Sequence, residues 1–453
     1  MPTARNARRD GTPNRLAARF ATAPITSSAP ITAIAIGSLC DSTNDYDAKE
    51  ALRRGCEHAL STELTTVPQE QRSGSNNPIG PMTAVFSSPE AVEDSKVETQ
   101  SVAIIMAGGQ GERLWPLSTP ERPKQLLKLL SEELTMLDQA IERIRPLVGD
   151  DAVYVSTSTR LGGPIAASGA LDADHVLAEP AKRNTLGALV WSVAHLVADG
   201  FSEDSAVAVL TADHHIGDED AFRRDAAGAL DLAVREASIV TLGIVPDRPD
   251  IGYGYLETDA EDSTVAANGV TAYRCRAFKE KPDLETAERF VAAGNFYWNS
   301  GMFFFTLGTF RRELESAGAE ACAAFDEVVE ALRQDDEATA KVAFERLPDL
   351  SVDYAVMERA NRILTVPSSF DWDDLGSWDA VARKNTSDDS DNVIRGLATL
   401  IESRNTLVIN ENPDITIGVM GINDAAIILT KDGLLVCKRE FASRLKELLK
   451  ELP

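Results

Sequence analysis

A run of small and charged residues, Ala107 to Lys124, has the composition expected of a polyphosphate site. It reads AGGQGERLWPLSTPERPK and follows five apolar residues, 102–106, that predict a buried strand. Gly108, Gly109 and Gly111 carry no Cβ, so the backbone N–H groups of this loop can approach a phosphate or a flat base closely. The sequence therefore predicts a ligand-binding loop at the end of the first core strand.

Two cations, Arg113 and Lys124, follow the glycines, and three prolines stiffen the chain between them. The run is not a Walker A loop, because no Lys-Ser/Thr follows the glycines. It is not a dinucleotide fingerprint either, because Leu114 stands where the third glycine is required. Taken alone, the glycines are equally compatible with a tight strand-to-helix turn.

Aspartates in two distant segments could hold a divalent cation. Asp213 follows the apolar run 206–210, which predicts a strand, and Asp371, Asp373 and Asp374 lie in the string FDWDDLGSW. Mg²⁺ prefers carboxylate oxygens and keeps several waters. Asp213 could instead cap a helix, and the second string could be an acidic surface turn, although its aromatic residues favour a buried segment.

The string from Gly111 to Gln125 resembles the signature of the sugar-nucleotide pyrophosphorylases, which join a sugar 1-phosphate to a nucleoside triphosphate. Its form, GERLWPLS followed by RPKQ, is similar to the mannose-1-phosphate guanylyltransferase branch. The resemblance extends over some 270 residues in matching order, which makes coincidence an unsatisfactory explanation. It implies that GTP and mannose 1-phosphate are the partners and that GDP-mannose and pyrophosphate are the products.

The resemblance also assigns roles to residues of the main motifs. The glycine loop would line the nucleotide, and Arg113 would neutralise the β- and γ-phosphates. Lys124 would bridge the α-phosphate and the attacking sugar phosphate. Asp213 and Asp374 would hold Mg²⁺ (or Mn²⁺) against the α-phosphate, with Asp213 counted among the catalytic residues. Because the nucleophile is already anionic, catalysis would rest on positioning and charge neutralisation.

Shorter fragments add further candidates for substrate binding. Each is unremarkable alone, since a Glu-Lys pair is usually a solvated face and an Asn-Thr pair suffices as a helix cap. By resemblance they would contact the nucleotide, the sugar hydroxyls or the sugar phosphate. In chain order they are Asn184, Thr185, Gly254, Glu257, Glu280, Lys281 and Asn299.

Two other functions remain open at this stage. The chain could transfer another nucleotide (from UTP, dTTP or ATP) to a different hexose 1-phosphate. It could also be a non-catalytic regulatory homologue, although the presence of Arg113, Lys124, Asp213 and Asp374 argues against that. The base and the sugar follow from the resemblance alone.

The net charge of −26 excludes a nucleic-acid-binding surface, which needs a basic footprint. Thirteen lysines stand against 32 arginines, so both a high-salt cytoplasm and an ordinary acidic enzyme from a GC-rich genome are compatible with the composition. Five scattered cysteines indicate a reducing, cytoplasmic location, and no apolar run reaches the ~18 residues of a membrane span. The oligomeric state is left open, with a homo-oligomer among the options.

Three regions are predicted along the chain. Residues 101–385 alternate strand and helix patterns and predict an α/β fold with a doubly wound, mostly parallel sheet. Ligands bind at the carboxyl ends of the strands of such sheets, where the glycine run lies. Residues 386–453 predict a small β-rich, β-helix-like module closed by a helix from about 440 to 452. They lack histidine clusters, so we expect no second, metal-dependent isomerase activity.

Residues 1–100 predict a largely disordered extension with one short helix at 48–64. Arginines dominate the first twenty residues, as in a transit peptide. A misassigned start is the favoured alternative, with Met82 as the true beginning.

Overall fold

The computed structural model describes residues 100–109 and 111–452. Strands before residue 385 alternate with most of the helices. They are β1 (Ser101–Met106), β2 (Val153–Ser158), β3 (Val176–Glu179), β4 (Ala206–Thr211), β5 (His215–Ile216), β6 (Ile239–Ile244), β7 (Gly254–Val265), β8 (Thr271–Glu280), β9 (Phe296–Thr306), β10 (Ile363–Pro367) and β11 (Trp372–Asp373). Apart from the short β5–β11 pair, they form one sheet in the order β3-β2-β1-β4-β9-β6-β10-β8-β7.

The α-helices of the same region connect the strands and cover the sheet. They are α1 (Met136–Val148), α2 (Thr159–Ser168), α3 (Asn184–Ala198), α4 (Glu219–Arg235), α5 (Leu284–Ala293), α6 (Leu307–Glu313), α7 (Ala319–Arg333), α8 (Glu337–Phe344), α9 (Val352–Ala355) and α10 (Trp378–Lys384). No helix in the described part of the chain combines the length and the apolar character needed to cross a membrane.

The central strands are buried on both faces, which explains their continuous apolar sequences. In β1, Ala103 and Ile105 pack into the core on one face of the sheet, whereas Val102 and Ile104 pack into the core on the other. Successive side chains of a strand point to opposite faces. The sheet is therefore a middle layer between two helical layers, and the predicted α/β fold class is confirmed.

Strand direction in the sheet is mixed. Strands β3, β2, β1 and β4 are parallel neighbours, so their carboxyl ends meet at one edge. Strand β9 runs antiparallel between β4 and β6, and β7 and β8 form an antiparallel pair at the far side. Strand-helix alternation in the sequence predicts the layers, but it contains no information on the direction of these inserted strands.

The C-terminal region forms short parallel ladders. Its elements are β12 (Val393–Arg395), β13 (Ala398–Ile401), β14 (Leu407–Asn410), β15 (Ile417–Met420), β16 (Ala425–Leu429), β17 (Leu434–Lys438) and α11 (Leu445–Leu449). The β-rich character is as predicted. The predicted single helix from 440 to 452 is wrong, because residues 439–444 form a 3₁₀ helix and only 445–449 are α-helical.

This module shares a core with the glycine-rich signature. Leu114 and Leu117 of the signature pack in one cluster with Leu407, Ile428 and Leu435 of the module. Hydrogen bonds add to the contact. Trp378 Nε1 donates to the Trp115 carbonyl at 3.1 Å, and Thr430 Oγ1 donates to the Pro116 carbonyl at 3.3 Å. The module therefore supports the loop that carries the predicted phosphate contacts.

We expect Leu407→Ala to destabilise the protein by roughly 2–5 kcal/mol, because Leu407 is fully buried in this shared core. Ile401→Ala is the matched control. Ile401 lies in the same module but is 50% exposed, so its truncation should cost about 0.5 kcal/mol or less. The measurement is the midpoint of chemical denaturation. Equal shifts for both variants would contradict a shared core.

The predicted helix at 48–64 and the alternative start at Met82 lie outside the described residues.

Candidate active site

The loop after β1 brings open backbone and a buried lysine together. Gly111 has φ +64°, and a Cβ on it would lie 2.5 Å from the Cβ of Lys124, so only glycine allows this approach. Gly108 and Gly109 face open space, with nothing within 4 Å of an added Cβ. Their lack of side chains is not required by packing. It leaves room for a ligand against the backbone.

Lys124 joins three segments that are far apart in sequence. It is 5% exposed. Its Nζ donates to Asp213 Oδ2 at 2.9 Å and to the backbone carbonyl of Asp374 at 2.5 Å. Gln125 Nε2 donates to the Ala107 carbonyl at 2.8 Å, which anchors the lysine segment to the loop after β1. The signature lysine and both predicted metal ligands therefore form one constellation.

A short antiparallel bridge holds the two acidic segments side by side. Strand β5 follows Asp213 and pairs with β11, which ends one residue before Asp374. Asp374 Oδ1 accepts hydrogen bonds from Tyr253 Oη at 2.8 Å and from the Gly376 N–H at 3.0 Å. Burial, and then the neighbouring Asp374, raises the pKa of Tyr253, so this phenol stays protonated and donates.

The other two aspartates of the FDWDDLGSW string have partners of their own. Asp373 is 3% exposed and accepts from Arg383 Nη2 at 3.1 Å. Asp371 accepts from Lys384 Nζ at 2.6 and 2.7 Å through its two oxygens. Asp374, by contrast, lines both cavities described below.

The donor set fits a magnesium ion. Burial would raise the pKa of the Asp213 carboxyl, but Lys124 and then His214 outweigh it, so the pKa lies below its usual value and the group is ionised. Asp213 Oδ1 and Asp374 Oδ2 remain beside the two oxygens already hydrogen-bonded. Mg²⁺ is usually bound through one or two carboxylates together with substrate phosphates. In the described residues no three His, Cys, Asp or Glu side chains form a metal cluster, which agrees with a site completed by substrate.

A large cavity of about 850 Å³ opens at the carboxyl ends of β3, β2, β1 and β4. Sequence-predicted residues line much of it. They are Gly108, Gly109, Gly111, Arg113, Lys124, Asn184, Thr185, Asp213 and Asp374. Arg113 is exposed there, and its Nη2 would lie 3.0 Å from a Cβ added to Gly376. Among the described residues no carboxylate forms an ion pair with Arg113, which leaves its charge available to a ligand.

Asn184 and Thr185 lie at the start of α3, but neither caps it. The residue at the cap position is Arg183, which has no capping side-chain bond. Asn184 has φ +57° and accepts from the Thr185 N–H, whereas Thr185 Oγ1 accepts from the Val352 N–H at 2.9 Å. The capping interpretation is therefore wrong, and Thr185 instead ties α3 to α9.

A smaller cavity of about 270 Å³ adjoins the large one. The residues common to both are Met106, Thr185, His214 and Asp374. Gly254, Glu280 and Asn299, all predicted from the sequence, line only the smaller one. A Cβ on Gly254 would lie 2.5 Å from Glu280 Oε2, so glycine lets that carboxylate cross the strand end. Carboxylate and amide groups beside apolar walls suit the hydroxyls and carbon skeleton of a sugar.

Two predicted residues, Glu257 and Lys281, line neither cavity. Side chains alternate along a strand, and Glu257 is an odd number of residues beyond Gly254 in β7, so it faces away from the small cavity. Lys281 has φ +46°, and its largely exposed ammonium turns to the carboxylate of Glu280. Their assignments stay predictions carried by the resemblance alone.

Asp353 is a site residue that sequence reasoning missed. Asn299 Nδ2 donates to Asp353 Oδ1 at 2.9 Å, and the Gly301 N–H donates to Asn299 Oδ1 at 3.1 Å. Burial, and then Glu280, raises the pKa of the Asp353 carboxyl. Asp353 belongs to α9, a four-residue helix with no recognisable motif, so only the fold brings it to the cavity. It fixes the orientation of the Asn299 amide.

Comparisons with known families match both parts of the chain. Residues 102–390 match the nucleotidyl transferase family, and residues 396–452 match the MannoseP isomerase/GMP-like beta-helix domain. These two ranges include every site residue described above.

Characterised relatives cover most of the chain. A mannose-1-phosphate guanylyltransferase of Sinorhizobium fredii is 34% identical over 367 residues, which are 80% of this chain and 70% of that protein. A mannose-1-phosphate guanylyltransferase of Escherichia coli K12 is 34% identical over 77% of this chain and 73% of its own length. The alginate biosynthesis protein AlgA of Pseudomonas aeruginosa is 34% identical over 78% of this chain and 72% of its own.

A solved structure agrees with these relatives. The crystal structure of a Thermus thermophilus protein, titled mannose-1-phosphate geranyltransferase, superposes with a TM-score of 0.68 at 31% identity. The match covers 78% of this chain and 99% of that one.

Proposed function

The chain belongs to the nucleotidyl transferase family, and we propose that it transfers a guanylyl group from GTP to mannose 1-phosphate, giving GDP-mannose and pyrophosphate. The relatives at 34% identity that bear the name mannose-1-phosphate guanylyltransferase support this assignment. A cytoplasmic location accords with it, because the described cysteines Cys275, Cys322 and Cys437 are all unpaired.

The observation that carries the proposal is the Lys124 constellation at the junction of the two cavities. Lys124 contacts Asp213 and the carbonyl of Asp374, and Asp374 lines both cavities. The large cavity, with its glycine loop and Arg113, suits a nucleoside triphosphate. The small cavity, with Glu280 and Asn299, suits a sugar. The α-phosphorus and the sugar phosphate would then meet beside Lys124.

The chemistry follows from this arrangement. An oxygen of the sugar phosphate attacks the α-phosphorus in line, a new P–O bond forms, and the bond to the β-phosphate breaks, releasing pyrophosphate. Lys124 neutralises charge between the two phosphates that approach each other, and Arg113 neutralises the leaving pyrophosphate. The nucleophile needs no general base, because a phosphate monoester is anionic at neutral pH.

Asp213 and Asp374 would hold the magnesium ion. When bound, Mg²⁺ makes the α-phosphorus more electrophilic and reduces repulsion of the anionic nucleophile. Tyr253 and the Gly376 N–H orient the Asp374 carboxylate, and Lys124 orients Asp213. The protein thereby provides a pre-positioned pair of ligands before substrate arrives.

Pyrophosphate release over a matrix of nucleotides and sugar phosphates tests this function. We expect turnover with GTP and mannose 1-phosphate to exceed turnover with UTP, dTTP or ATP, and with glucose 1-phosphate, at both high and low salt. Preference for another nucleotide would reassign the enzyme within the family. No turnover with any pair would favour a regulatory homologue.

A further inference from the structure

One carboxylate that lines the large cavity has an oxygen without a partner among the described residues. Glu179 is the last residue of β3, and its Oε2 atom is buried yet accepts no hydrogen bond. The backbone of the same residue is secured, because Thr159 Oγ1 donates to its carbonyl at 2.7 Å. A buried polar atom without a partner is unfavourable. Its position in a ligand cavity indicates that the ligand supplies the missing donor.

The strand order places Glu179 far from the reacting phosphates. Strands β3, β2, β1 and β4 lie side by side, with Glu179 at the end of β3 and Asp213 just beyond β4. At about 4.8 Å per strand, three strand spacings separate the two ends by about 14 Å. The glycine loop after β1 lies between them. An extended nucleoside triphosphate with its phosphates near Asp213 and Arg113 would therefore reach Glu179 with its base.

We propose that Glu179 reads the base of the nucleotide and selects guanine by accepting hydrogen bonds from its N1–H and its C2 amino group. This proposal rests on the proposed function and names the residue that determines its nucleotide specificity.

The complementarity is one of donors and acceptors. An ionised carboxylate only accepts, through two adjacent oxygens. Guanine presents two adjacent N–H donors on one edge. Adenine and cytosine present one amino group beside an acceptor nitrogen, and uracil and thymine present one N–H between two carbonyls. Each of those bases would set a lone pair against the carboxylate, which is a repulsive element against the wrong nucleotides.

The protonation state of Glu179 adds a pH dependence. Burial raises the pKa of Glu179 to about 7, with Lys182 opposing the shift and Asp349 adding to it. The ionised form is the one that accepts from guanine, so it must predominate for binding. As the pH falls through about 7, the carboxyl takes up a proton and the affinity for GTP should fall.

The test compares GTP with ITP, which lacks only the C2 amino group, by calorimetric binding to the full-length protein in the presence of Mg²⁺. We expect the wild type to bind GTP roughly 10- to 100-fold more tightly than ITP, as for hydrogen bonds to a charged group. In Glu179→Gln the preference should fall to within about threefold, with the GTP affinity reduced. The fall in GTP affinity below pH 7 should be smaller in this variant than in the wild type.

Glu112→Gln is the matched control. Glu112 lines the same cavity in the signature loop and pairs with Lys446 at 3.0 Å, so its variant should keep the wild-type GTP-to-ITP ratio. A wild-type protein that binds GTP and ITP equally would overturn the proposal without any variant. So would a folded Glu179→Gln protein that keeps the wild-type ratio. A wild type that prefers UTP or ATP would instead refute the proposed function.

Discussion

Lys124→Met is expected to lower kcat by about 10²-fold or more while leaving the protein folded. The substituted side chain keeps most of the volume, but it removes the ammonium that contacts Asp213 at 2.9 Å and the Asp374 carbonyl at 2.5 Å. Removing one preorganised electrostatic group commonly costs this much in rate. Because the charge acts mainly in the transition state, kcat should fall, and not only KM rise. Steady-state kinetics at saturating GTP measures the effect.

Lys128→Met is the control for this substitution. Lys128 is exposed four residues further on, and its Nζ donates only to the Glu132 carbonyl at 3.2 Å. Exposed charges usually contribute under ~1 kcal/mol, so this variant should stay within a few-fold of wild type. Equal, mild effects at both positions would mean that Lys124 is not part of the catalytic site.

Asp374→Asn is expected to lower turnover by about 10²-fold or more with little change in melting temperature. An amide oxygen can still accept from Tyr253 and the Gly376 N–H, so the local structure is retained. What is lost is the negative charge that Mg²⁺ requires. We expect the same of Asp213→Asn. The measurement is the rate as a function of magnesium concentration, in which both variants should need more metal.

Asp371→Asn provides the comparison within the same string. Its carboxylate is 58% exposed and paired with Lys384, so its loss should change turnover only slightly. Normal turnover in Asp374→Asn would remove this residue from the metal site. A loss in Asp371→Asn as large as that in Asp374→Asn would mean that the whole acidic string acts structurally.

The sequence predicts the signature loop well because its information is local. Glycine tolerates positive φ and close approach wherever it lies, so Gly111 and its neighbours are recognisable without a fold. The α/β layers follow from strand-helix alternation for the same reason. The direction of β9 is set by packing between β4 and β6, which no local pattern encodes.

Residues whose role depends on distant partners are harder to predict. Among the acids of the FDWDDLGSW string, the resemblance favours Asp374, whereas the structure supplies the physical reason, since Asp371 and Asp373 are paired with cations. Asp353 meets Asn299 only because α9 folds beside β9. The unpaired oxygen of Glu179 becomes visible only when burial is known.

The most direct test of the account follows the oxygen atoms of the sugar phosphate. Mannose 1-phosphate labelled with ¹⁸O on its phosphate is incubated with GTP and Mg²⁺, and the products are analysed by mass spectrometry. If the sugar phosphate attacks the α-phosphorus, all of the label appears in GDP-mannose, and unlabelled pyrophosphate forms in equal amount. Formation of GMP without GDP-mannose, or label in pyrophosphate, would contradict guanylyl transfer at the Lys124 constellation.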